Sequence, residues 1–294
     1  MRRGCFAAEP DRAPPSVGLC GRAALVALVA LGLVAVLHPH QPAQAGELIP
    51  CDAPGTLVSL DPPLRALARA VERGREIRVI ALGSSSTEGT GASTKQAAYP
   101  ARFDREMDRR FPGKDFKVAN LGKGGELADQ MLVRLQRDVI PEQPALVLWQ
   151  TGVNDAISGV DLAAFSQTLA RGLVALKAAG IEVILIDPQY YPRSAGVPRY
   201  EDFITATRRV AREHGVPVFR RYAIMQHLIS SGQHTVDDLL WKDKFHLNDV
   251  SYGCLAELMA QAVEAEIRRP AVPVITAGVA ATRPTTGFSP TTAY

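Results

Sequence analysis

A chain of 294 residues that is 47% hydrophobic and only 21% charged can bury a full core, which excludes a disordered or fibrous protein. Its formal charge of +3, with no basic stripe, argues against a nucleic-acid partner. That charge falls to about +1 without the first 45 residues, where Arg2, Arg3, Arg12 and Arg22 outweigh Glu9 and Asp11.

The run from Ala23 to Leu37 is apolar and uncharged, follows Arg22 and precedes Ala43-Gln44-Ala45. That pattern predicts a secretory signal peptide over residues 1–45, cleaved before Gly46, and a periplasmic or extracellular product. The run is shorter than the roughly 20 residues that span a bilayer, so a membrane enters only through the alternative of an uncleaved anchor. The exported product would keep Cys51 and Cys254, either as one disulfide in an oxidising compartment or as one exposed and one buried thiol.

After a Pro-containing lead-in over 46–75, the short β-branched run 77–82 ends at Gly83 and predicts a buried strand. Runs of the same kind follow at 116–120, 145–150 and 182–187, with a short one at 216–219. Between them, 3.6-residue periodicity predicts helices over 99–111, 127–139, 162–179 and 200–214, and a last packing helix over 250–269. This alternation predicts a three-layer α/β/α domain over 76–269, a flavodoxin-like parallel sheet of about five strands with helices on both faces. Residues 270–294 turn to Pro, Thr, Ala and Gly and are expected to be a disordered tail.

In open parallel sheets the ligand crevice forms from loops leaving the carboxyl ends of strands. Three such loops stand out: Gly83-Ser84-Ser85-Ser86-Thr87-Glu88-Gly89, Asn120-Leu121-Gly122-Lys123-Gly124-Gly125 and Gly152-Val153-Asn154-Asp155. A serine hydroxyl becomes a nucleophile only beside a base, so the six histidines decide the matter. His38 and His40 lie in the leader, His214 ends a helix, and His227 and His234 fall on an expected surface helix and loop. His246 alone has an aspartate at a suggestive spacing, in Asp243-Lys244-Phe245-His246. Asp-x-x-His is common by itself, Gly125 can be a turn glycine and Asn154 an Asx turn, so each residue has an ordinary structural reading.

Together these three loops and the Asp243–His246 segment resemble the sequence blocks of the SGNH (GDSL-like) hydrolases, in order, over about 77–269. Gly83-Ser84-Ser85-Ser86-Thr87 resembles the Gly-Asp-Ser-x-Thr block, Asn120-x-Gly122-x-x-Gly125 the second and Gly152-Val153-Asn154-Asp155 the third, while Asp243-x-x-His246 is similar to the last. The resemblance implies a secreted serine esterase with a triad of Ser85, Asp243 and His246. It also implies an oxyanion hole from Ser85, Gly125 and Asn154, and chemistry that requires no metal or organic cofactor. Ser84 departs from the pattern, since the family usually has aspartate there, and it leaves three adjacent serines, of which Ser85 aligns with Thr87 and Gly89.

A nucleotide-binding Rossmann domain is the main rival, but the second loop lacks the last glycine of Gly-x-Gly-x-x-Gly and no P-loop occurs. Gly-x-Ser-x-Gly, Ser-x-x-Lys, His-Glu-x-x-His and Cys-x-x-Cys are absent too. A ligand-binding module or acyltransferase on the same scaffold stays open, because fold does not fix function. The expected partner is a small-molecule or carbohydrate ester, with acetyl the favoured acyl group. Trp241, Tyr190 and Tyr191 are candidates for the rim of the site, or for packing.

Overall fold

The structure is a computed structural model and describes residues 51–270. The expected signal peptide and all but the first residue of the expected tail lie outside these residues.

Five strands run in chain order as β1 (Glu76–Gly83), β2 (Asp115–Gly122), β3 (Leu146–Gln150), β4 (Glu182–Ile186) and β5 (Val218–Phe219). The helices are α1 (Gly55–Val58), α2 (Arg65–Arg73), α3 (Ser85–Glu88), α4 (Tyr99–Arg110), α5 (Ala128–Arg134), α6 (Val153–Ile157), α7 (Leu162–Ala178), α8 (Tyr200–His214), α9 (Arg221–Ser230), α10 (Val236–Leu239) and α11 (Asp249–Arg268). The sheet is wholly parallel in the order β2-β1-β3-β4-β5. That is the flavodoxin-like order, in which strand order reverses between β1 and β3 and opens a crevice above their carboxyl ends. Helices α2, α4 and α11 pack as one layer and α5, α7 and α8 as the other.

The central strands are apolar because both their faces are covered: every residue of β3 is buried, as are the last five of β1. β2 differs from the expected buried strand. It lies at the sheet edge, only Phe116 is buried, and the outward amides of Phe116 and Val118 donate to Asp108 and Asp104 of α4 at 2.8 and 3.0 Å, which covers the edge against pairing with another chain. The expected helix over 127–139 is α5 followed by a π-helical turn at Leu135–Val139, a widening that the apolar spacing alone does not reveal.

The lead-in contributes Leu60, Leu64, Leu67 and Val71 to the same core. Glu182 at the start of β4 caps α2 by accepting the amides of Ala66 and Leu67 at 2.8 and 2.7 Å. Cys51 and Cys254 form a disulfide with Cα atoms 5.3 Å apart across 203 residues of sequence. Beside it, Gln233 accepts the Asp52 amide and donates to the Asp52 carbonyl, at 3.0 and 2.9 Å. This docking overturns one expectation: His234 lies within the packing against the cysteine pair, 3% exposed, not on the surface. The helix carrying His227 likewise buries Tyr222, Ile224, Met225 and Leu228. No helix among the described residues is long and apolar enough to cross a membrane.

Candidate active site

β1 ends in the first loop, and Ser84 takes an extended conformation that begins the one-turn helix α3 at Ser85. Gln150, at the carboxyl end of β3, holds this turn from beneath. Its Oε1 accepts from the Ser84 amide at 3.0 Å, the Ser84 hydroxyl at 3.1 Å and the Thr87 hydroxyl at 3.2 Å. The residue at the position of the usual aspartate thus keeps a structural task through a neutral partner. The three serines now separate. Ser84 and Ser86 are 3% and 2% exposed, and Ser86 donates to Gln189 Oε1 at 3.1 Å, whereas half-buried Ser85 turns its hydroxyl to His246.

Asp243 and His246 lie on one turn ahead of α11. Asp243 Oδ1 accepts the amides of Phe245 and His246 at 2.9 and 3.0 Å, and its Oδ2 faces His246 Nδ1 at 2.6 Å. Burial acts to raise the Asp243 carboxyl, but the imidazole and the two amides outweigh it and hold the group below the ordinary carboxylate range. Such a carboxylate takes the Nδ1 proton as its hydrogen-bond donor, leaving Nε2 to accept the Ser85 hydroxyl at 3.0 Å. Lys244 has φ of +56°, a left-handed conformation that the bend between the two residues requires. The turn is closed by the Trp241 amide donating to the His246 carbonyl at 2.8 Å and by a bridge between Leu240 and Leu247.

The second loop leaves β2 over α3. A Cβ at Gly122 would collide with the backbone of Thr87 and Glu88, so only glycine lets the strand end lie against the nucleophile turn. Gly125 has φ of +76°, and a Cβ at the adjacent Gly124 would stand 4.0 Å from Ser85 Cβ, which puts this loop beside the serine. Buried Glu126 fixes it through an ion pair with Arg134 at 2.6 Å. On the third loop, Asn154 Nδ2 donates to the Glu126 carbonyl at 2.9 Å, and Asp155 Oδ1 accepts the Ala128 amide at 3.0 Å. Burial raises the Asp155 carboxyl against that hydrogen bond. The second and third loops are therefore joined at two points. Ser85, Asp243 and His246 are joined directly, and the loops of Gly125 and Asn154, tied to each other, run beside Ser85.

Three further polar residues at or just past the carboxyl ends of β3 and β4 were not singled out from sequence. Gln150 is a polar end to the apolar run Leu146-Val147-Leu148-Trp149, a signal that was available. Asp187 is buried, with Arg208 bonded to Oδ2 at 2.6 Å and the Tyr222 amide to Oδ1 at 2.9 Å; burial raises its carboxyl and Arg208 opposes the rise. Gln189, 1% exposed, lies between the Ser86 hydroxyl and the Phe245 carbonyl. Of the aromatic candidates, Tyr191 is packing, 3% exposed between Phe245 and Tyr200, while Trp241 is 36% exposed with Lys242 over its ring. The cysteine pair and His234 form the one described cluster of potential metal ligands, and the sulfurs are bonded to each other. A 510 Å³ cleft lined by Arg78, Asp104, Lys117 and Glu142 contains none of the five residues.

This sheet order and this sequence of loops define an SGNH-type hydrolase. The sequence model of the non-GDSL lipase-like family matches residues 50–269, and the chain belongs to that family. It is similar to "Esterase TesA" of Pseudomonas aeruginosa, 29% identical over 46% of this chain and 65% of that protein, so the match spans just under two thirds of that relative. It is also similar to the "Thioesterase 1/protease 1/lysophospholipase L1" of Escherichia coli K12, 27% identical over 63% of this chain and 83% of that one. Among solved structures, a two-domain esterase active on acetylated mannans shares the fold with TM-score 0.60 and 18% identity, over 72% of this chain and 56% of that one. An acetyl xylan esterase does so with TM-score 0.55 and 19% identity, over 64% and 100%.

Proposed function

We propose that the protein is an exported serine esterase that removes small acyl groups, acetyl above all, from carbohydrate esters. The observation that carries the reading is the continuous relay from Asp243 Oδ2 through the His246 ring to Ser85 Oγ, at 2.6 and 3.0 Å. In the first step Ser85 Oγ attacks the ester carbonyl while His246 Nε2 takes its proton, and Asp243 stabilises the imidazolium that forms. The negative charge arising on the carbonyl oxygen is assigned to three donors: the Ser85 amide at the start of α3, the Gly125 amide and the second N–H of Asn154, whose first is held by the Glu126 carbonyl. His246 returns the proton to the departing alcohol. It then activates water, which attacks the acyl-serine and releases the acid.

The carbohydrate and acetyl parts of the reading draw support from the two structural neighbours, one active on acetylated mannans and one an acetyl xylan esterase. Export draws support from the disulfide, a bond that persists in oxidising compartments. The test compares wild type with Ser85→Ala on p-nitrophenyl acetate, a long-chain p-nitrophenyl ester and acetylated mannan. Turnover favouring acetyl esters, reduced about a thousandfold or more in the variant, is expected. Equal activity in both proteins removes Ser85 from the chemistry, and a preference for the long chain removes the acetyl assignment. N-terminal sequencing of exported protein is expected to begin at Gly46.

A further inference from the structure

We infer that Gln189 is a positioning residue that keeps the nucleophile turn and the histidine loop in register; this rests on the reading of Ser85 as nucleophile and His246 as base. Ser85 and His246 are 161 residues apart, and their own contact is a poor tether, because the Ser85 hydroxyl ceases to donate whenever it carries an acyl group. Gln189 bridges the two loops one residue away from each reacting group. Its Oε1 accepts from the hydroxyl of Ser86, the neighbour of Ser85, at 3.1 Å. Its Nε2 donates to the carbonyl of Phe245, the neighbour of His246, at 3.1 Å. Among the described residues outside these two loops, no other single side chain has hydrogen bonds to both 84–88 and 243–246.

The bridge is itself held at its base. The Gln189 carbonyl accepts the Tyr200 hydroxyl at 2.7 Å, and two residues earlier the Asp187 carbonyl accepts from buried Arg221 at 3.0 Å. A primary amide suits the position because one loop presents a donor and the other an acceptor. Methionine offers neither partner, and glutamate would bring a second oxygen against the Phe245 carbonyl. Burial makes both bonds costly to lose, since water does not replace them. The acyl-enzyme then retains the geometry that the arriving water needs, although the serine–histidine bond is gone.

The experiment measures kcat and KM on p-nitrophenyl acetate, the rate of Ser85 phosphonylation by a small organophosphonate, the melting temperature and the NMR signal of the His246 Nδ1 proton. Gln189→Met is expected to lower kcat and the phosphonylation rate about 10- to 100-fold, the scale of sub-ångström to ångström misplacement, with KM within about twofold. The Nδ1 signal should survive, because the His246–Asp243 pair is internal to its own loop. Ser86→Ala, which removes one arm with the smallest disturbance, should reduce kcat less, and the double variant should be no worse than Gln189→Met alone. Folded Gln189→Met and Ser86→Ala within threefold of wild type would refute the bridge while an inert Ser85→Ala left the esterase reading standing. Loss of activity together with the Nδ1 signal would reduce Gln189 to a structural residue. An active Ser85→Ala would remove both readings.

Discussion

Replacing Asp243 by asparagine is expected to change the tautomer of His246 without disturbing the loop. The side-chain oxygen that accepts the amides of Phe245 and His246 at 2.9 and 3.0 Å must remain an acceptor, so the new NH2 group faces His246 Nδ1. Flipping the amide would forfeit two hydrogen bonds of about 1 to 1.5 kcal/mol each, leaving the flipped form at no more than a few per cent. In the favoured orientation Nδ1 must accept, the ring proton moves to Nε2, and Nε2 can no longer take the proton of Ser85. Loss of the negative charge removes stabilisation of the imidazolium as well. The expected fall in kcat is about 10³ to 10⁴, or roughly 4 to 5.5 kcal/mol of transition-state free energy, with KM little changed. Steady-state hydrolysis of p-nitrophenyl acetate, with a thermal melt to establish folding, is the assay. A folded variant retaining a tenth of wild-type activity would refute the tautomer argument.

Asn154→Ala should lower kcat about 10²- to 10³-fold with KM nearly constant, as loss of one oxyanion donor does; a rise in KM alone would remove that role from Asn154. Cys254→Ser should destabilise the domain by about 2 to 5 kcal/mol, read from denaturant midpoints with and without reductant. The folded Asp243 carboxyl is held below its unfolded value, so its stabilising contribution is complete above the ordinary carboxylate range near pH 3.9 and is lost as pH falls through the lowered value. Acid unfolding of Asp243→Asn should therefore depend less steeply on pH below 4 than that of wild type, and identical profiles would show that the carboxylate is not stabilised there.

The site was legible where chemistry and chain geometry coincide. Glycine and small polar residues follow strand-forming runs at Gly83, Gly122 and Gly152, and those positions mark the loops at the carboxyl ends of strands. The spacing of Asp243 and His246 fits a single turn, which the structure forms with Lys244 left-handed. The expected strands and helices lie within one or two residues of the observed ones except 127–139, whose second half is the π-helical turn; α2 and α9 were given no range, and burial did not follow at the edge. The run 116–120 is as β-prone as its neighbours, and only its place beside β1 alone exposes it. Gln189 and Asp187 were hidden for a different reason. Each acts through partners distant in sequence, Ser86 and Phe245 for the first and Arg208 and Tyr222 for the second, and nothing local to 187–189 announces them. His234 was misplaced because the burial of its loop depends on Cys51, 183 positions earlier in the chain.

The Cys51–Cys254 bond encloses every residue assigned to the chemistry, since Ser85, Gly125, Asn154, Asp243 and His246 all fall between the two cysteines. A single protease cut in any surface loop within that interval would yield two chains that remain one covalent molecule. Such a nick would convert a loss of parts into a local loosening, and the severed halves would stay at an effective concentration that favours their reassociation. The same closure sets an order on biogenesis: the bond cannot form until α11 has emerged, so the catalytic loops are all synthesised before the ring that contains them is sealed.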